Sequence, residues 1–149
     1  MDPLELTIRD ARPDDAQAVS KLLDQLGYPA APAAVRRRIE RLAGSAADRL
    51  VVAELDGAVV GLANLHVSLS LEYDEPAAKL AAIAVDREHR RRGIGQALVG
   101  AMEAEARARG CGLIFLTTAE RRKDAHAFYR RIGFEETGRR FAKRLDTGQ

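Results

Sequence analysis

A glycine-rich stretch at residues 89–98, HRRRGIGQAL, combines the residue types that bind phosphate. Arg90, Gly93 and Gly95 form the pattern R-x-x-G-x-G directly before an apolar repeat typical of a helix. The first N–H groups of a helix lack intrahelical partners and carry partial positive charge. Glycines let a large anion approach these groups, and arginines add charge. The stretch therefore indicates an anion site; the alternative is a shaped turn beside solvated arginines.

Two other phosphate-binding motifs do not fit this stretch. The dinucleotide fingerprint requires a small residue at the sixth position counted from Gly93, and that position is Leu98. A P-loop requires Gly-Lys followed by Ser or Thr, which the sequence does not contain. What remains is a glycine turn between a strand, AAIAVD, and an amphipathic helix.

A second candidate segment, DAHAFYRRIGF at residues 124–134, places one tyrosine on an apolar helix face. Ala125, Phe128, Tyr129 and Ile132 recur at the i, i+3, i+4, i+7 spacing of one face. A half-buried core aromatic is a common outcome at such a position. That structural role is the alternative to any chemical role for Tyr129.

The elements that must position these residues can be read from periodicity and turn residues. LTIRDAR predicts a first strand, a helix begins at Asp14 or Asp15 and ends at Gly27, and residues 30–44 predict a second helix. Asp56-Gly57 lies between two apolar runs and predicts a tight hairpin. The loop at residues 68–78 precedes a third core strand, KLAAIAV, at residues 79–85.

The second half of the chain continues the alternation of strand and helix. The helix after the glycine turn ends near Gly110, LIFLTT at residues 113–118 predicts a buried strand, and a short helix ends at Gly133. Residues 134–145 predict a final strand or strand pair. The predicted order is β-α-α-β-β-β-α-β-α-β, an α/β fold in which about four helices flank a mixed, mostly antiparallel central sheet.

Composition narrows the class of protein. The 149 residues, 46% of them hydrophobic, suit one domain over residues 1–149. A net charge of +2 disfavours a general nucleic-acid binder. No stretch has a signal-peptide pattern or the apolar length of a membrane span, and a single cysteine fits a reducing compartment. We therefore expect a cytoplasmic protein without a membrane or nucleic-acid partner, and the histidine and cysteine spacing predicts no metal site.

With these motifs in this order, the chain resembles the GNAT superfamily of acetyl-CoA-dependent N-acetyltransferases over nearly its whole length, from LTIRDARPDDAQAVSKLL to GFEETGRRFAK. The resemblance implies acetyl-CoA as cosubstrate and a backbone pairing of its pantetheine arm with the strand edge at residues 83–85. It also implies a possible homodimer. The cosubstrate contacts that it implies fall on Ile83, Ala84, Val85, Arg90, Arg91, Arg92, Gly93, Ile94, Gly95 and Gln96.

The resemblance also implies a role for Tyr129 as the general acid that protonates the leaving thiolate. The family often has an asparagine seven residues before this tyrosine, whereas this chain has Arg122, which could meet a phosphate instead. RRKDAHAFYRRIGF and RRFAKRL look most like the aminoalkylphosphonate N-acetyltransferase branch. That likeness, with Arg121, Arg122 and Lys123 ahead of the helix, suggests a small primary amine bearing an anionic group.

The general base is the missing part of this interpretation. Many members of the family carry a glutamate on the strand before the glycine turn, but Lys79 to Ile83 include no carboxylate. The candidate substitutes are Glu72, Asp74, Glu75, His66 and an ordered water chain, and the alternative role of the three acids is plain loop charge. The role of His126 is equally open between catalysis and a helix position that faces a neighbouring turn.

The sequence therefore predicts an N-acetyltransferase that acts on a small-molecule amine. A peptide or protein N-acetyltransferase and a CoA-binding domain without turnover are the alternatives. Acetyl transfer across a panel of amines separates the enzyme from the binding domain.

Overall fold

The computed structural model describes residues 5–118 and 122–147, which form two compact units divided between Leu116 and Thr117. In the first unit, five strands lie in the order β1-β2-β3-β4-β5. Their bounds are Leu6–Asp10, Asp48–Leu55, Ala58–Ser68, Ala77–Val85 and Leu113–Phe115. The helices of this unit are α1, Ala16–Leu26, α2, Pro32–Ala43, and α3, Ile94–Ala108. The second unit contains α4, Lys123–Arg131.

The sheet is antiparallel from β1 to β4 and parallel only between β4 and β5. The β2–β3 hairpin turns at Asp56 and Gly57, whose φ angles of 50° and 87° are those that a tight hairpin requires. Gly27 ends α1 with a φ of 102°, as the sequence predicts. The mixed, mostly antiparallel fold with four helices is confirmed.

Helices cover both faces of the sheet. Leu62 packs with Val19 of α1 and Ile39 of α2 in one buried cluster. A side chain at the adjacent Gly61 would instead meet Leu98 of α3. Because neighbouring residues of a strand point to opposite faces, α1 and α2 lie on one face of the sheet and α3 on the other.

Two predicted elements differ from the structure. The buried strand predicted at residues 113–118 is limited to β5, Leu113–Phe115, and Leu113 is 52% exposed. The strand predicted within residues 134–145 does not form, since none of the described residues after Phe115 joins a β-ladder. Phe141 is 90% exposed. An apolar residue flanked by cations does not specify a strand unless a neighbouring strand pairs with its backbone.

The expectation of one domain over residues 1–149 stays a prediction. Within the described ranges, no helix combines the length and the apolar character needed to cross a bilayer.

Candidate functional site

The glycine turn joins the end of β4 to the start of α3. A single 3₁₀ turn at Arg87–His89 follows β4, and Gly93 is the N-cap of α3 with a φ of 80°. The first N–H to bond within the helix is that of Ala97, which donates to the Gly93 carbonyl at 3.0 Å. Gly93 has no side chain with which to cap the helix. The N–H groups of the first helical turn are therefore available to a ligand.

The arginines of the turn lie where they can add charge to that site. Arg90, Arg91 and Arg92 are exposed, and none forms an ion pair with a residue of the described ranges. Arg91 has a φ of 65°, a left-handed conformation that few non-glycine residues adopt. The turn thus presents backbone donors and unpaired cations together, an arrangement suited to a phosphate group.

A buried carboxylate fixes the start of this turn. Asp86, only 7% exposed, accepts a hydrogen bond from Gln25 Nε2 at 2.8 Å and contacts His89 Nδ1 at 2.7 Å. The Gln25 side chain also accepts a hydrogen bond from the Arg87 N–H at 2.9 Å. The hydrogen bond from Gln25, followed by that from His89, lowers the pKa of Asp86 below its ordinary value in spite of burial. Gln25 of α1 is thereby connected to the start of the 3₁₀ turn, and Asp86 connects that start to His89 at its end.

The close approach of α3 to the sheet depends on a glycine in β3. A Cβ built on Gly61 would lie 3.0 Å from Leu98 Cδ1, 3.2 Å from the Ala84 carbonyl oxygen and 3.4 Å from Ile94 Cγ2. Ile94 and Leu98 are both buried. Gly61 therefore allows the first turn of α3, which carries the available N–H groups, to pack directly against β3 and β4.

Sequence analysis missed Gln25, Asp86 and Gly61, because their roles depend on neighbours distant in the chain.

The edge of β4 opposite β3 is only partly occupied. β5 pairs with Ala77, Ala78 and Lys79, and no described strand pairs with that edge beyond Lys79. Ile83, Ala84 and Val85 lie on this open edge and are half-buried. Their backbone groups on that side could bond an extended ligand as an added strand would. The three residues predicted to pair with pantetheine and the turn at residues 90–96 are thus continuous along one chain segment.

The other two predicted site residues belong to the second unit. Tyr129 is 7% exposed, and its ring makes edge-to-face contacts with Phe128 and Phe134 at centroid distances of 5.4 and 5.8 Å. Burial raises the pKa of the Tyr129 phenol, although the charge of Arg122 acts in the opposite direction. Arg122 is the N-cap of α4. Arg121 lies outside the described residues.

The candidate bases occupy two different environments. Glu72, Asp74 and Glu75 are exposed in the loop between β3 and β4. His66 lies on β3 directly opposite Asp48 of β2, with its Nδ1 3.0 Å from Asp48 Oδ1. Sequence analysis identified His66 but missed Asp48, which lies 18 positions earlier.

Comparison with known proteins gives the class to which this arrangement belongs. The model of the acetyltransferase (GNAT) family matches residues 16–134. The chain therefore belongs to this family, and it is an acetyl-CoA-dependent acyltransferase with acetyl-CoA as its cosubstrate.

Three relatives illustrate the likeness. Aminoalkylphosphonate N-acetyltransferase of Salmonella typhimurium is 36% identical over 90 residues, 60% of this chain and 58% of that protein. Aminoglycoside N(6')-acetyltransferase type 1 of Stenotrophomonas maltophilia is 31% identical over 137 residues, 89% of this chain and 88% of that protein. The crystal structure of an aminoglycoside N-acetyltransferase in complex with CoA matches with a TM-score of 0.84 at 22% identity, over 97% of both chains.

Proposed function

We propose that this protein transfers the acetyl group of acetyl-CoA to a primary amine of a small molecule, by direct attack of the amine on the thioester. The observation that carries the proposal is the start of α3 in a chain of this family. There the first backbone N–H groups have no side-chain cap from Gly93, and three arginines lie beside them without an ion pair among the described residues. The two similar N-acetyltransferases are named for small-molecule amines, which supports this acceptor class.

In this proposal, the pyrophosphate of CoA binds at the start of α3. The N–H groups of Ile94, Gly95 and Gln96 donate to it, and Gly93 leaves room for its approach. Arg90, Arg91 and Arg92 add charge around the phosphates, with Arg122 as a further candidate. The pantetheine arm then pairs with the open edge at Ile83, Ala84 and Val85.

The chemical step needs one proton donor and one proton acceptor. The amine nitrogen forms a bond to the thioester carbon, and the C–S bond breaks as the tetrahedral intermediate collapses. Tyr129 gives its phenolic proton to the departing thiolate, and the proton that the attacking nitrogen loses as the amide forms restores the phenol through solvent. Because burial raises its pKa, the Tyr129 phenol is protonated at neutral pH and can act as this donor. The ammonium form of the acceptor must lose a proton before it attacks.

Replacing Tyr129 tests the general-acid role. Tyr129→Phe keeps the ring and its contacts with Phe128 and Phe134 but removes the proton donor. We expect kcat to fall by ~10²-fold or more, with acetyl-CoA affinity nearly unchanged. Phe128→Leu, which alters the neighbouring ring, is the control for packing. Wild-type turnover in Tyr129→Phe would assign Tyr129 a structural role only.

The proposed acceptor is a small primary amine that carries an anionic group. Arg122 and Lys123 at the start of α4 supply cations for such a group, and guanidinium pairs well with oxyanions. The test compares kcat/KM for aminoalkylphosphonates, amino acids, their uncharged amine analogues, an aminoglycoside and a peptide N-terminus. A kcat/KM no higher for the anionic amines would reject this acceptor class, and preference for the peptide would support a protein N-acetyltransferase.

Membership of the acetyltransferase family argues against the alternative of a CoA-binding domain without turnover. A homodimer stays a prediction, which light scattering during size-exclusion chromatography would test.

A further inference from the structure

His66 and Asp48 form a pair in which the carboxylate is held in place and the imidazole is partly accessible to solvent. The Asp48 side chain is 12% exposed, whereas that of His66 is 45% exposed. Both Asp48 oxygens have partners: Oδ1 contacts His66 Nδ1 at 3.0 Å, and Oδ2 accepts a hydrogen bond from Ser45 Oγ at 2.7 Å. A carboxylate held in this way fixes the ring and its tautomer. The proton then resides on Nδ1, and Nε2 can accept one.

This pair lies beside the place where the edge of β4 becomes open. His66 is opposite Lys79, the last residue of β4 that pairs with β5. The register between β3 and β4 then shifts, because Leu65 is opposite Leu80 whereas Asn64 is opposite Ala82, so Ala81 is an extra residue in β4. Such a bulge bends a strand and changes where its side chains point. His66 is thus one strand away from the start of the open edge.

Asn64 gives a second sign of a ligand at this place. Its Oδ1 is buried without a hydrogen-bond partner among the described residues. Asn64 and His66 are two residues apart in β3, so their side chains share a face of the sheet. A buried acceptor without a partner costs on the order of 1–3 kcal/mol. A donor from a bound ligand, such as the N–H of an amine, would remove that cost.

The length of the open edge places the reacting end of acetyl-CoA nearby. Leu80 to Val85 present about 20 Å of edge at about 3.3 Å per residue. In the proposed binding mode, the pyrophosphate binds after Val85, and the pantetheine arm extends back along this edge. β5 occupies the edge at Lys79 and stops the arm there. The thioester therefore lies toward the Leu80 end, next to the bulge and to Asn64 and His66.

We propose that His66, oriented by Asp48, is the general base that accepts a proton from the acceptor ammonium. Nε2 takes that proton, the neutral amine attacks the thioester carbon, and the imidazolium later returns the proton to solvent. Among the described residues, the charged side chains in this row of the sheet face are Asp48 from β2 and Lys79 from β4. This inference rests on the proposed function, since it concerns the proton lost by the same acceptor.

The test measures turnover, binding and pH dependence in His66→Gln and His66→Ala. We expect kcat/KM for the amine to fall by ~10²-fold or more, while the Kd of acetyl-CoA measured by calorimetry stays within about twofold. The acidic limb of the kcat/KM profile should flatten in both variants. Added imidazole should restore part of the activity of His66→Ala. A structural role for His66 gives neither the flattened limb nor the rescue.

Two further variants complete the design. Asp48→Asn should lower kcat/KM by ~10-fold, because Asp48 orients the His66 ring. Asp10→Asn removes an exposed partner of Arg49 on a neighbouring strand and should leave kcat/KM unchanged. A wild-type protein that acetylates no small-molecule amine would overturn the proposed function and this inference together. If the wild-type protein turns over and His66→Gln and His66→Ala retain that turnover, the inference alone is overturned. If His66→Gln does not fold, a wild-type kcat/KM in Asp48→Asn would overturn it.

Discussion

The glycine turn and the Asp48–His66 pair use opposite ways of placing chemical groups. In the turn, Gly93, Ile94, Gly95 and Gln96 are consecutive, and we expect their backbone N–H groups to be the donors. In the pair, two side chains 18 positions apart meet because β2 and β3 are in register. One short motif can therefore encode an anion site, whereas a carboxylate–imidazole pair depends on strand pairing.

The two regions also differ in how they are supported. The turn depends on residues from elsewhere: Gln25 of α1 bonds Asp86, and Gly61 of β3 allows α3 to approach. The Asp48–His66 pair depends on the hairpin whose turn is Asp56-Gly57 and on Ser45. Changes to the turn should thus act on cosubstrate binding and stability, whereas changes to the pair should act on proton transfer.

Gly95→Glu is expected to give the largest effect that is specific to one of the two regions, the glycine turn. The substitution places bulk and negative charge at the first turn of α3, where we expect the pyrophosphate. CoA affinity should fall by tens-fold or more, on the order of 2 kcal/mol or greater. Isothermal titration calorimetry with CoA measures the effect. Gly100→Glu is the matched control, because Gly100 is exposed in the same helix with open space around it. Equal affinity in both variants would remove the turn from the site.

Gly61→Ala tests whether packing beneath the turn positions it. The new Cβ would crowd the Ala84 carbonyl and the Leu98 side chain, so both neighbours must give way by a few tenths of an ångström. We expect the free energy of unfolding to fall by about 1–3 kcal/mol, with weaker CoA binding. Urea denaturation and calorimetry are the measurements, and Gly100→Ala serves as the helix control. Wild-type stability in Gly61→Ala would show that the close approach is not needed.

Asp86→Asn tests the buried network that starts the turn. Because the folded state lowers the pKa of Asp86, the stability that its charge contributes is complete above the ordinary carboxyl pKa of 3.8 and is lost as pH falls through the lower folded value. At neutral pH we expect a loss of about 1–3 kcal/mol. The difference from wild type should shrink in acid. Urea denaturation from pH 3 to pH 7 checks this, with exposed Asp24→Asn as control. A pH-independent difference would contradict the electrostatic explanation.

The smallest expected effect is at Arg91, where two substitutions distinguish the cost of backbone strain from the loss of charge. Arg91→Gly and Arg91→Ala both remove the guanidinium, but only glycine adopts the left-handed φ of 65° without a steric cost. We expect the glycine variant to be more stable than the alanine variant by about 1 kcal/mol. CoA affinity should fall by a few-fold in both. Equal stabilities of the two variants, measured by thermal unfolding, would exclude strain at this residue.

Local patterns predicted much of the fold because short-range physics decides them. Asp56-Gly57 forms the hairpin since its backbone accepts positive φ angles, and Gly27 ends α1 for the same reason. The prediction of a final strand was wrong because a strand needs a neighbouring strand to pair with, and the composition of residues 134–145 does not specify one. The same limit applies to β5, where three residues pair and Leu113 remains half exposed.

The sequence by itself determined the family, the order of the first nine elements and the glycine turn, because each is encoded in contiguous residues. Tertiary structure alone decided that Gln25 reaches Asp86, that Gly61 lies beneath α3, and that Asp48 faces His66. These pairings join positions between 18 and 61 residues apart, and only strand register and helix packing bring them within hydrogen-bond or van der Waals distance.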